Sequence, residues 1–72
     1  MNIGRLISTA SNNIFVTVAD YITKEIYVDR EHPGQIINGN DKRFHHFLKN
    51  KRIYAVDIGA EGDLILEICG DE

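Results

Sequence analysis

The sequence predicts a small α+β domain in which one helix packs on one face of an antiparallel sheet of four or five strands. Short segments with period-two alternation of apolar residues lie on both sides of one segment with helical periodicity. The 72 residues are 43% hydrophobic and 26% charged, which is ordinary for a single globular domain spanning residues 1–72. We therefore expect the element order β-β-β-α-β-β.

The N-terminal segment supports two interpretations. Gly4 and the Ser8–Thr9 pair weaken a helix here, and Ser11-Asn12-Asn13 forms a turn signal. We favour a strand over residues 3–9. A helix remains the alternative, because four apolar residues follow the helical i, i+3, i+4, i+7 spacing: Ile3, Leu6, Ile7 and Ala10.

The next two strands are predicted at residues 14–19 and 25–29. Both alternate apolar side chains, and a turn near residues 20–23 separates them, so we expect an antiparallel hairpin. Residues 30–40 form the longest irregular stretch, with the turn signals Pro33-Gly34 and Asn38-Gly39-Asn40. Ile36-Ile37 is interpreted as a short strand or as an anchor of this loop.

The predicted helix covers residues 41–49. Asn40 or Asp41 can cap its N-terminus, and Phe44, Phe47 and Leu48 form an apolar stripe. Strands at 53–58 and 64–69 follow, joined by a five-residue loop with two glycines. The alternation of these segments predicts a core of thirteen residues: Ile14, Val16, Val18, Ile26, Val28, Phe44, Phe47, Leu48, Val56, Ile58, Leu64, Leu66 and Ile68.

The second face of the predicted sheet is also apolar, which is unusual for a face that meets only water. We therefore predict a protein-interaction surface there, for a protein partner or for a second copy in a homodimer. Two alternatives remain: the N-terminal segment covers this face as a helix, or a β-bulge shifts the alternation. The residues that we expect to carry the interaction are Phe15, Tyr27, Ile53 and Ile65.

A basic cluster contains five of the eight lysines and arginines: Lys42, Arg43, Lys49, Lys51 and Arg52. It predicts a nucleic-acid-binding module as the alternative function, because cations neutralise phosphates. The net charge of −3 and the lack of a nucleic-acid-binding motif favour a solvated helix face instead.

Catalytic and metal chemistry are not expected. Adjacent histidines such as His45 and His46 diverge on a helix, and Cys69 has no base beside it in the sequence. No phosphate-binding, dinucleotide-binding or nucleophile motif occurs, so we expect no enzyme activity, cofactor or small-molecule substrate. No apolar run spans a bilayer and residues 1–10 lack a leader's apolar region, so a cytoplasmic protein is expected.

Ser8-Thr9-Ala10, the asparagine-containing turn and the strand at 14–19 resemble the start of one small type I anti-CRISPR family. Members are phage proteins of comparable length that combine a small antiparallel sheet with helices. The resemblance covers less than a third of the chain and carries over no functional residue. It implies a non-catalytic inhibitor that occupies a nucleic-acid-binding surface of the host's surveillance complex. This chain departs from the family in its single clear helix before the last hairpin.

Overall fold

A computed structural model describes residues 2–39 and 44–69 of the chain. It confirms an α+β fold with a four-stranded sheet, in the spatial order β2-β1-β4-β3. A short π-helical segment, Phe44–Leu48, precedes the third strand. The helices and strands are α1 (Ile3–Thr9), β1 (Val16–Asp20), β2 (Ile26–Glu31), α2 (Pro33–Asn38), β3 (Ile53–Ile58) and β4 (Leu64–Ile68).

The sheet is mixed, so the prediction of a wholly antiparallel sheet is wrong. β1–β2 and β3–β4 are antiparallel hairpins, as predicted, but the hairpins join through a parallel pair of β1 and β4. That central pair runs in unbroken register from Val16 opposite Leu64 to Asp20 opposite Ile68. Both middle strands are thus hydrogen-bonded on both sides, while β2 and β3 form the edges.

The N-terminal segment is a helix, and our preferred strand is wrong. Asn2 caps α1, because its Oδ1 accepts the backbone N–H of Arg5 at 2.8 Å. The N–H groups of Ile3 and Gly4 donate to the carbonyls of Lys51 and Lys49. A Cβ on Gly4 would lie 2.8 Å from the Lys49 carbonyl oxygen, so this close approach explains the glycine that had argued against a helix.

The predicted loop at 30–40 contains a second helix. Pro33 occupies its first turn, where a missing N–H costs nothing, and Ile36 is buried as an anchor. Within the predicted 41–49 helix, the described part is the π-helical segment, closed by a bond from the Lys49 N–H to the Phe44 carbonyl. The predicted caps, Asn40 and Asp41, lie outside the described residues.

One hydrophobic core lies between the helices and one face of the sheet. Seven predicted core residues are buried, and Ile14 and Leu64 pack against them. Ile3, Ile7 and Ile36 join the core from the two helices that the prediction lacked. Four predicted members are wrong, because they remain exposed: Ile26, Phe47, Val56 and Ile58. No helix in the described part of the chain is long and apolar enough to cross a membrane.

Candidate functional site

The sheet has a covered face, which meets the helices, and an open face, on which no described helix packs. Paired residues of neighbouring strands point to the same side, so the pairing identifies the members of each face. Val16, Val18, Leu66 and Ile68 belong to the covered face and all lie in the core. The open face consists of Thr17, Ala19, Ile26, Ala55, Asp57, Ile65 and Glu67.

A bulge in β2 places Tyr27 on the covered face, which corrects its predicted position on the second face. Val18 pairs with Val28, and the next residue, Ala19, pairs with Ile26, so β2 has one extra residue here. Tyr27 packs against the core and its hydroxyl donates to Oδ2 of Asp20 at 3.1 Å. Ile26 takes the open-face position instead.

A second irregularity, in β3, moves Ile53 in the same way. Ile53 pairs with Ile68 and Ala55 with Glu67, so Tyr54 is the extra residue on β3. Ile53 packs against the core, and its predicted place on the second face is therefore also wrong. Of the four predicted interaction residues, Phe15 and Ile65 remain on the open side of the sheet.

A cluster of rings and charges lies where β1 ends, and we call it the Tyr21 cluster: Tyr21, Tyr54, Lys24 and Glu67. The two tyrosine rings are 4.8 Å apart between centroids. The Lys24 ammonium lies 5.0 Å from the Tyr21 ring centroid and 3.0 Å from Oε2 of Glu67. Both tyrosines stay partly exposed, so their rings offer apolar surface beside a charged pair.

A similar cluster lies where β1 begins, the Phe15 cluster: Phe15, His32, Arg30 and Glu61. Phe15 stacks on His32 with centroids 4.4 Å apart, and the Arg30 guanidinium lies 5.3 Å from the Phe15 centroid. Arg30 also pairs with Glu61 at 2.7 Å. Phe15 is held by these neighbours yet remains 40% exposed, so its accessible surface is fixed in position.

Between the two clusters, the middle of the open face carries small side chains. Thr17 and Ala19 are buried although no described helix covers them, because larger neighbours flank them. Oγ1 of Thr17 accepts the backbone N–H of Arg30 at 3.2 Å, which satisfies this polar atom without water. The middle of the open face therefore carries short side chains, and aromatic side chains lie at its two ends.

The basic cluster is only partly described, since Lys42 and Arg43 lie outside the described residues. Lys49 lines a groove of about 440 Å³, to which α1 contributes Arg5. Lys51 instead reaches the Phe47 ring, with its ammonium 4.7 Å from the centroid. Arg52 lies just before β3, opposite Asn2. Our prediction did not include Arg5 in this cluster, because it placed a strand at residues 3–9.

His32 and His45 each contact a different backbone carbonyl, so they do not form one cluster. Nδ1 of His32 lies 3.3 Å from the Ile14 carbonyl oxygen, and Nε2 of His45 lies 2.9 Å from that of Gly39. Over residues 2–39 and 44–69, no three histidine, cysteine, aspartate or glutamate side chains are grouped as a metal site would require. Cys69, the single cysteine of the sequence, is half-buried and forms no disulfide bond within the chain.

Comparison with protein-family models, with curated proteins and with solved structures finds no match for this chain.

Proposed function

We propose that the protein is a non-enzymatic binding module that docks a protein partner on the open face of its sheet. The observation that carries the proposal is the pair of clusters at the two ends of this face. Each contains a partly exposed aromatic side chain beside a cation and a carboxylate. Protein interfaces combine the same elements, with aromatic anchors and a polar rim.

The apolar residues of this side are numerous for a surface that meets only water. Ile26 and Ile22 are exposed together with Phe15, Tyr21 and Tyr54. Several large exposed apolar side chains on one side of a domain are typical of an interaction site in soluble proteins. The ion pairs add orientation, because charged groups at a rim steer a partner more than they strengthen its binding.

The form of action that the anti-CRISPR resemblance implies is inhibition by occupancy. A rigid open face would block a surface of its partner without any chemistry, as phage-encoded inhibitors and regulators do. This form agrees with the fixed position of Phe15 between His32 and Arg30, since ordering a side chain before binding lowers its entropic cost.

The test is a photo-crosslinking experiment in lysate of the cells in which the chain naturally occurs. A photoreactive phenylalanine analogue replaces Tyr21, and cross-linked products are compared in three backgrounds. Ile26→Glu adds a charge to the open face, whereas Gln35→Glu adds the same charge to the exposed side of α2. We expect a discrete product that Ile26→Glu reduces at least about tenfold and that Gln35→Glu leaves unchanged.

Circular dichroism of each variant verifies that the fold is intact. A product that persists in the Ile26→Glu background, or that Gln35→Glu reduces equally, would contradict docking on the open face. So would a photoreactive residue that yields no discrete product in an otherwise wild-type chain.

Nucleic-acid binding is the second candidate, and the groove beside α1 favours it. Arg5 and Lys49 both line this groove, and among the described residues that line it none is acidic. Binding through these cations would weaken steeply between about 50 mM and 200 mM salt, because it releases counterions. A mobility-shift assay with the double variant Arg5→Gln/Lys49→Gln tests this candidate. A shift that is absent at low salt, or unchanged in the variant, would exclude it.

A further inference from the structure

The two edge strands of the sheet differ in how they are protected from pairing with another strand. Exposed sheet edges are normally blocked by charges, bulges or a covering segment. β2 has two register shifts against β1 and ends in the charged run Asp29-Arg30-Glu31. β3 carries a single charge, Asp57, over its six residues. Its contact with Asn2 lies at Arg52, before the strand begins.

The helix layer also stops short of β3. Val56 pairs with Leu66 and Ile58 with Leu64, so both belong to the covered face. Leu66 is fully buried, yet Val56 is 57% and Ile58 63% exposed. The covered face thus continues onto the edge strand as apolar surface without a described helix above it.

We propose that β3 pairs with β3 of a second copy, antiparallel and centred on Val56, which joins two sheets into one of eight strands. This edge is a different surface from the open face, and its partner is a second copy of the chain rather than another protein. A two-fold axis at Val56 brings Val56 opposite itself and Tyr54 opposite Ile58. Val56 and Ile58 of both copies then form one apolar patch on the helix side, which each copy alone leaves exposed.

The charged residues favour this register of pairing. They also favour a second copy of the chain as the partner of β3. Centring the pair on Asp57 would place two aspartates opposite each other, which is unfavourable on neighbouring strands. With the axis at Val56, Asp57 lies opposite Ala55. The same symmetry brings the Lys51–Arg52 end of one β3 beside the Glu61 end of the other, so opposite charges meet at both ends. The strand is therefore complementary to itself.

The experiment tests both the association and its register. Sedimentation velocity over a concentration series measures the dimer in the wild type and in Val56→Lys, with Asn13→Lys as the control on an exposed turn away from both surfaces. We expect Val56→Lys to weaken dimerisation at least about tenfold, and Asn13→Lys to leave it unchanged. Circular dichroism verifies that the variants fold. We expect Val56→Lys to fold, because Val56 is exposed.

Disulfide trapping then reads the register in a Cys69→Ser background. Across the axis, the two Val56 Cα atoms would lie about 5 Å apart, within the range that a disulfide bridges. Val56→Cys should therefore form covalent dimers on mild oxidation. Ile58→Cys should not, because the two copies of this residue would lie four positions apart, about 13 Å along the strand.

Three results would overturn the proposal. The first is a wild-type chain that stays monomeric up to about 1 mM. The second is a dimer that Val56→Lys leaves intact. The third is equal cross-linking of Val56→Cys and Ile58→Cys. A dimer that Ile26→Glu disrupts and Val56→Lys preserves would place self-association on the open face instead, which separates this proposal from the proposed function.

Discussion

The two faces of the sheet bury their side chains by different means. On the covered face, large aliphatic residues such as Val18 and Leu66 are enclosed by α1, α2 and the π-helical segment. On the open face, Ala19 and Thr17 are enclosed only by their neighbours in the sheet. One layer of helices therefore supplies most of the apolar core, while the opposite face carries little of it. Exposed positions of the open face, such as Ile26, can therefore change at low cost in stability.

Two adjacent residues of β4 test directly whether the two faces contribute differently to stability. Leu66 lies fully buried on the covered face, and Ile65 is half-buried on the open face. We expect Leu66→Ala to lower the free energy of unfolding by about 2–5 kcal/mol, because it leaves a cavity in the core. Ile65→Ala should cost about 1 kcal/mol or less, since neighbours and solvent can fill the space.

Urea unfolding followed by circular dichroism measures both losses. Equal losses at the two positions would mean that the open face is buried as deeply as the covered one.

Two tyrosines test the bulge that assigns Tyr27 to the covered face. Tyr27→Phe removes the donor of the bond to Asp20, and should lower the free energy of unfolding by about 0.5–1.5 kcal/mol. Tyr54→Phe is the matched control, because its exposed ring has no described hydrogen bond. Thermal unfolding of the two variants measures the two losses of stability. If neither substitution lowers the midpoint temperature of unfolding, the Tyr27 hydroxyl does not stabilise the fold through Asp20, and the assignment of Tyr27 to the covered face loses its support.

The smallest expected effect concerns the ion pair of the Tyr21 cluster. Glu67→Gln breaks the pair with Lys24, whose side chain is largely exposed. We expect a loss below about 1 kcal/mol, because solvent screens such a pair. The difference from wild type should shrink as salt is added to the unfolding experiment. A larger loss that is independent of salt would show that Glu67 acts through packing rather than charge.

Much of the covered face could be predicted from the sequence. The alternation in β1 and β4 identified Val16, Val18, Leu66 and Ile68, because both strands run without irregularity against each other. The first helix was open to prediction as well. Its apolar spacing and the Asn2 cap were both present, but Gly4 weighed against them until its contact with Lys49 explained it.

The candidate site was harder to predict, for a physical reason. A single extra residue exchanges the faces of a strand, and neither bulge is marked by glycine or asparagine. Arg30 and Lys24 adopt positive φ values of 50° and 64° without the usual residue type for that conformation. Tyr27 and Ile53 were therefore assigned to the wrong face, whereas the turn that contains Tyr21 was predicted correctly.

The parallel pair at the centre of the sheet has a consequence for the order of folding. Val16 meets Leu64 only after the chain between them has been synthesised, so the sheet cannot close on the ribosome strand by strand. The first hairpin must wait, with one long side of β1 unpaired, until β4 emerges. Because Thr17 and Ile65 lie side by side only in that parallel pair, the open face forms only when β4 joins β1, and the first hairpin alone does not carry it.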